Sequence, residues 1–172
     1  MDKNIYEVQN QEIILKALVA QDKLYSKAKR INYLSLFLCV ILPITYSVIK
    51  EFLSGEVFIT IGSLFTIVLI FVAPALSSFA FAAKKKAATV QQTVDFFLFE
   101  DESFRKRDDN WGNLYTMDEL CTVIAKTKTT QKDMDKKRNW YSDYSSQSHV
   151  MQAYYSQCQC VRWDDDLRKV LL

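Results

Sequence analysis

The chain has 172 residues, and its 22 Lys and Arg nearly balance its 20 Asp and Glu. A net charge of +2 excludes the strongly basic domain typical of nucleic-acid binders, so no DNA or RNA partner is expected. Three Gly and two Pro in all are too few turn formers for a many-stranded β fold, and long helices are expected instead.

Residues 1–10 are polar and read as a frayed end. From Gln11 to Arg30 the apolar positions Ile14, Ala17, Leu18, Ala20, Leu24, Tyr25 and Ala28 recur at steps of three and four. That spacing predicts an amphipathic helix. No Gly or Pro lies between this helix and the next segment, so it continues into that segment or kinks at the junction.

Two charge-free apolar runs come next, Ile31–Ile49 with 19 residues and Val57–Ala83 with 27. A bilayer core about 30 Å thick needs roughly 20 residues of helix, so each run can span it. The connector Lys50–Glu56 is short and holds Gly55, which predicts an antiparallel transmembrane hairpin over 31–83. A secretory signal would begin near residue 1, and a buried soluble helix rarely goes so far without a charge. Lys23, Lys27, Lys29 and Arg30 precede the first run and Lys84–Lys86 come after the second. Basic flanks stay on the cytoplasmic side, which puts both termini there. Thr60, Ser63 and Thr66 repeat every three residues. They either line a wet path in an oligomer or mediate helix packing, and packing is the common use of Ser and Thr in membranes. Pro74 is expected to kink the second helix.

Beyond Lys86, Ala87, Val90, Val94, Phe97 and Leu98 share one face and predict a stalk. Asp101–Asn113 reads as a loop around Trp111. Thr116 or Asp118 can cap a helix over Met117–Trp140, apolar at Leu120, Cys121 and Ile124 and almost wholly polar later. After a break at 140–147, a last helix is expected from about Ser148 to Leu172, with Val150, Tyr154, Cys158 and Val161 on one side. The fold class is therefore an all-α membrane protein, with a cytoplasmic amphipathic helix at 1–30, a two-helix transmembrane hairpin at 31–83 and a cytoplasmic helical domain at 84–172.

Chemistry-bearing clusters are few. Cytoplasmic thiols stay reduced, so Cys121, Cys158 and Cys160 imply no disulfide framework. Cys158 and Cys160 with His149 and Cys121 are the one candidate metal set. A Cys-x-Cys pair on a helix points its thiols to different sides, unlike usual zinc spacings, and no metal or other cofactor is expected. Asp164, Asp165 and Asp166 are consecutive, so they cannot all face one ion. With a single His and no Gly-rich phosphate loop, the chain is not expected to be an enzyme.

Several of these segments resemble a known family. Gln9 and Asn10, then Ala20–Arg30 directly before a membrane run, are similar to the S-4TM family, where the second stretch reads AQRxxYSxAK. This chain has Asp22 at the Arg position. Asp95 stands like a family aspartate. Asn139, Trp140 and Tyr141 resemble its Asp/Asn-Trp-Tyr, and Gln157 followed by Trp163, Asp164, Leu167 and Arg168 resembles its Cys-Gln-Arg region and WDxxLR. Ser156–Cys160 departs from the family's CQRxN, which removes that Arg and Asn. The family also carries a second pair of spans after WDxxLR, so this chain is either an N-terminal fragment or a shortened relative.

The resemblance implies a pore-forming effector of bacterial anti-phage defence. Such a protein would sit in the inner membrane, self-assemble as a homo-oligomer and be switched on by a cyclic oligonucleotide. Trp140, Tyr141, Arg162, Trp163 and Arg168 are the candidate ligand contacts, through stacking on aromatics and charge-assisted bonds to phosphate. The alternative for two of them is structural, with Trp163 in the domain core and Arg168 paired to Asp164 at i and i+4. The alternative function is a non-pore anchor whose cytoplasmic helices dock a partner protein.

Overall fold

The protein is described by a computed structural model covering the backbone of residues 4–52, 56–99 and 114–171. Side chains are described within those ranges except at 50–59, 61, 63–66, 68 and 163–171. Every element among these residues is helical. They are α1 (Ile5–Gln9), α2 (Glu12–Leu36), a π-helical turn (Phe37–Ile41), α3 (Leu42–Phe52), α4 (Glu56–Phe99), α5 (Met117–Ala125), α6 (Gln131–Asp135) and α7 (His149–Leu171). The expected loop at 101–113, the Arg168–Asp164 pair and the Ser63 and Thr66 side chains lie outside the described residues.

The described residues form two compact units, 23–87 and the pair of segments 1–22 and 88–172. In the 23–87 unit, Leu24, Lys27 and Ile31 of α2 line one cleft together with Leu76, Phe79, Ala83 and Lys86 of α4. Further along, Tyr46 of α3 lies against Gly62 of α4. Rising positions on one helix of the pair meet falling positions on the other, so the helices run antiparallel. Small residues allow the approach: Ala28, Ala80, Ala83 and Ala87 are buried, as is usual where helices pack closely.

The amphipathic segment continues into the apolar run, because α2 is unbroken to Leu36. The irregularity comes at Phe37–Ile41, where the Leu42 N–H bonds the Phe37 carbonyl. Pro43 explains the location. Its ring would clash with the carbonyl four residues back and it has no N–H to offer, so the backbone widens by one residue just before it. Pro74, by contrast, sits within an uninterrupted α4. Hydroxyls in the apolar stretch bond their own helix, Thr45 to the Ile41 carbonyl and Ser47 to the Pro43 carbonyl, both at 2.9 Å.

Among the described residues, Glu12–Ile49 is a helical stretch long and apolar enough to cross a membrane, and its most apolar part is not covered by protein. Ile44 is 61% exposed, and Ile70 and Phe71 on α4 are 63% and 73% exposed. A soluble core helix would have these side chains inside.

A Cβ at Gly62 would collide with the Tyr46 ring. Gly62→Ala is therefore expected to destabilise the helix pair by about 1–3 kcal/mol through overpacking. Tyr46→Ala should remove most of that loss when combined with it. Thermal unfolding in detergent micelles checks this, and strictly additive single and double variants would mean that the two positions do not meet.

In the other unit, α1 is formed and not frayed. Asn4 caps it, and Ile5 and Gln9 are buried. The amphipathic pattern of α2 holds at Ile14, Ala17 and Ala20 but also buries Leu15 and Val19, which pack with Met134 of α6. The stalk face is buried at Val90, Val94 and Leu98. The single helix expected over 117–140 is two short ones. Thr130 and Asp133 form a capping box that starts a new helix, and a threonine-rich segment favours such caps over helix interior.

Thr116, one of the two expected caps, closes the box with Glu119 at the start of α5. Thr116→Ala should lower stability by about 1 kcal/mol. Unfolding of the variant measures this, with Glu119→Gln a milder companion because it keeps an acceptor.

Candidate functional site

The loop from Asn139 to Gln147 is held by four amide side chains. Asn139 has a φ of 54°, a left-handed conformation that Asn tolerates better than most residues. This turn lets residues 139–141 face α1. The Asn139 N–H donates to Asn10 Oδ1 at 3.0 Å, and Asn10 Nδ2 donates to Asn139 Oδ1 at 3.0 Å. Two residues on, the buried Gln9 amide pairs with the Tyr141 backbone. It accepts from the Tyr141 N–H at 2.8 Å and donates to the Tyr141 carbonyl at 3.0 Å. From the other side Gln159 of α7 accepts from the Ser142 N–H at 3.1 Å, and its Nε2 donates to the Trp140 carbonyl at 3.5 Å. Gln152 accepts from the Ile5 N–H at 3.0 Å and donates to the Gln147 carbonyl at 2.9 Å.

These bonds explain why α7 turns a polar face inward. Gln152 and Ser156 are buried, while Val150, Tyr154, Cys158 and Val161 form a solvent-facing stripe. The apolar side expected for the last helix therefore exists, but it is its outer side. A buried amide with both ends satisfied is tolerated where an unpaired one costs about 1–3 kcal/mol.

The five candidate contact residues fall in different surroundings. Trp140 is 36% exposed, and the Lys137 ammonium lies 4.6 Å from its ring centroid. That lysine also pairs with Asp22 at 2.5 Å, so the residue at the family's Arg position has a local partner of opposite charge. Tyr141 is 6% exposed. Its ring packs 5.9 Å from that of Phe99, and its hydroxyl accepts from the Cys160 thiol at 3.6 Å. An incoming base has no open face of this ring to stack on. Arg162 is exposed on α7. It lies four residues after Cys158, beside the solvent-facing stripe of α7. Trp163 and Arg168 continue the same helix, with side chains outside the described set. Trp140 and Arg162 are thus both exposed, and Tyr141 is part of the packing.

Asp95 of α4 lies outside the five candidates, yet it is the most perturbed acid among the described residues of this unit. It is half-buried, and loss of water around it pushes its carboxyl up to about 7. Burial first, and then the neighbouring Asp95 charge, raise the Tyr141 phenol far above its ordinary value. The sequence signal that points to Asp95 is a lone acid inside the apolar stalk pattern. No cluster of three or more His, Cys, Asp or Glu suited to a metal occurs among the described residues. Cys121 and Cys158 are exposed, and Cys160 is half-buried.

Two long helices with uncovered apolar sides, and a helical unit closed by an amide-locked loop, define a helical membrane protein. More particularly, the chain belongs to the SMODS-associating 4TM effector domain family, whose family model matches residues 3–170. It is thus a membrane effector associated with SMODS-type anti-phage systems. No curated protein and no solved structure matches it.

Proposed function

We propose that this effector assembles as a homo-oligomer in the bacterial inner membrane and opens or disrupts it when a cyclic oligonucleotide reaches its cytoplasmic unit. Both termini are on the cytoplasmic side, and the pair 31–49 and 57–83 spans the bilayer as a hairpin. The observation that carries the reading is the apolar surface of the long helices, left uncovered on Ile44, Ile70 and Phe71. Such surface calls for lipid or for further copies of the chain. Activation is a population shift. The ligand binds the assembled state better, and its differential affinity sets how far the equilibrium moves. Trp140 supplies the stacking face, Arg162, Trp163 and Arg168 complete the contact, and Tyr141 fixes the loop. No catalytic step is involved.

The test is dye leakage from liposomes holding the purified chain, with and without a panel of cyclic di- and trinucleotides. Leakage is expected with one nucleotide only. Arg162→Ala or Trp140→Ala should abolish it while helical content and melting stay unchanged. Leakage without nucleotide, or equal leakage with all of them, would overturn the ligand-gated scheme. The exposed stripe Val150, Tyr154 and Val161 on α7 supports a second reading, a non-pore anchor that docks a partner protein there. That protein would be inert in liposomes under every condition.

A further inference from the structure

We propose that the cleft between α2 and α4 holds one anionic phospholipid, its phosphate between Lys27 and Lys86 and an acyl chain laid along the apolar walls. The inference rests on the membrane reading above. The cleft encloses about 250 Å³, with Leu24, Ile31, Leu76 and Phe79 among its walls. Lys27 and Lys86 are its only charged lining residues among the described ones.

Position selects the ligand. Lys27 lies one turn before Ile31, and Lys86 lies two turns after Phe79. The helices are antiparallel, so both ammonium groups stand toward the same end, the cytoplasmic one. From Lys86 to Leu76 the cleft extends about 15 Å along α4, passing from cationic to wholly apolar. That polarity matches a phospholipid entering from the leaflet, headgroup at the surface and chain inward. Phe79 is 65% exposed, so the apolar wall opens sideways toward the bilayer. A lipid needs only part of itself inside. Basic pockets between membrane helices on the cytoplasmic side bind anionic headgroups for this reason.

The probe is native mass spectrometry of the full chain released from vesicles of equal phosphatidylglycerol and phosphatidylcholine. Wild type should keep one phosphatidylglycerol. The double variant Lys27→Ala, Lys86→Ala should reduce that retention about 25-fold, since each interfacial lysine contributes about five-fold in preference for anionic lipid. Lys84→Ala, Lys85→Ala removes the same charge outside the cleft and should cost clearly less retention than the cleft pair. Lys27→Arg, Lys86→Arg should keep it as well. Equal loss in the two alanine pairs, equal retention of both lipids, or displacement by inorganic phosphate would overturn the site. A chain that fails to insert into the vesicles would overturn the membrane reading itself. Insertion without lipid preference would sink this inference alone.

Discussion

Gln9→Leu is expected to destabilise the unit of 1–22 and 88–172 by several kcal/mol. The Gln9 amide satisfies both the N–H and the carbonyl of Tyr141 inside the unit. Leucine fills similar volume but leaves both backbone groups buried and unpaired, at about 1–3 kcal/mol each. The resulting loss is about 2–5 kcal/mol, a large share of the stability of a small domain. Gln9→Glu keeps an acceptor for the Tyr141 N–H but loses the donor to its carbonyl, and should fall between. Thermal unfolding of the full chain in detergent reads both. A loss under about 1 kcal/mol for Gln9→Leu would mean that water replaces the amide and that the loop is not locked by it.

The second large effect depends on pH. The Asp95 carboxyl titrates near 7 in the fold, against an ordinary value of 3.8. Between those values the folded chain holds a proton that the unfolded chain has released, so stability falls as pH rises. Below about pH 4 both states are protonated and nothing is lost. Above pH 7 the penalty is complete, and the full difference of about three units corresponds to about 4 kcal/mol at most. Partial exposure of Asp95 lowers this to about 2–4 kcal/mol. Asp95→Asn keeps the shape without the charge. It should match wild type at pH 4 and melt at a clearly higher temperature at pH 8. Identical melting at pH 8 would show that the carboxylate is well solvated. Placing a costly charge against Tyr141, the residue that anchors the locked loop, couples the state of the stalk to that of the loop.

The long helices can be read directly from the sequence because their cause is local. Charge-free runs and a three-four repeat mark α2 and α4 without reference to anything distant. The sequence also displays Gln9 with Asn10, and Asn139 with Trp140 and Tyr141, as separate motifs. That they are partners is not legible there, since the bonds join positions 129 to 132 residues apart. The same limit hides α1. A five-residue helix has little stability of its own, and this one forms because Ile5 and Gln9 have partners on α7 and the loop. Tyr141 resembles a stacking residue by type, and only packing against Phe99 reveals it as interior. Leu15 and Val19 escape the helical repeat because the short α6 that covers them reads as the polar end of a longer helix.

The widened turn at Phe37–Ile41 also sets a phase. Each residue of an α-helix advances about 100° around the axis, and the widened turn takes up one residue without that advance, so positions after it lag a regular count by about 100°. The side of the helix that Leu24, Lys27 and Ile31 turn toward α4 therefore does not predict, by counting in steps of 3.6, the side on which Tyr46 meets Gly62. The first membrane-facing rod is two segments with independent azimuths joined end to end. Substitutions can tune the cleft end and the Tyr46 end separately. Loss of one residue within 37–41 would let the turn close to a regular α-turn and keep Tyr46 facing Gly62, whereas loss of one residue between 42 and 45 would swing Tyr46 away from Gly62 and leave α2 where it is.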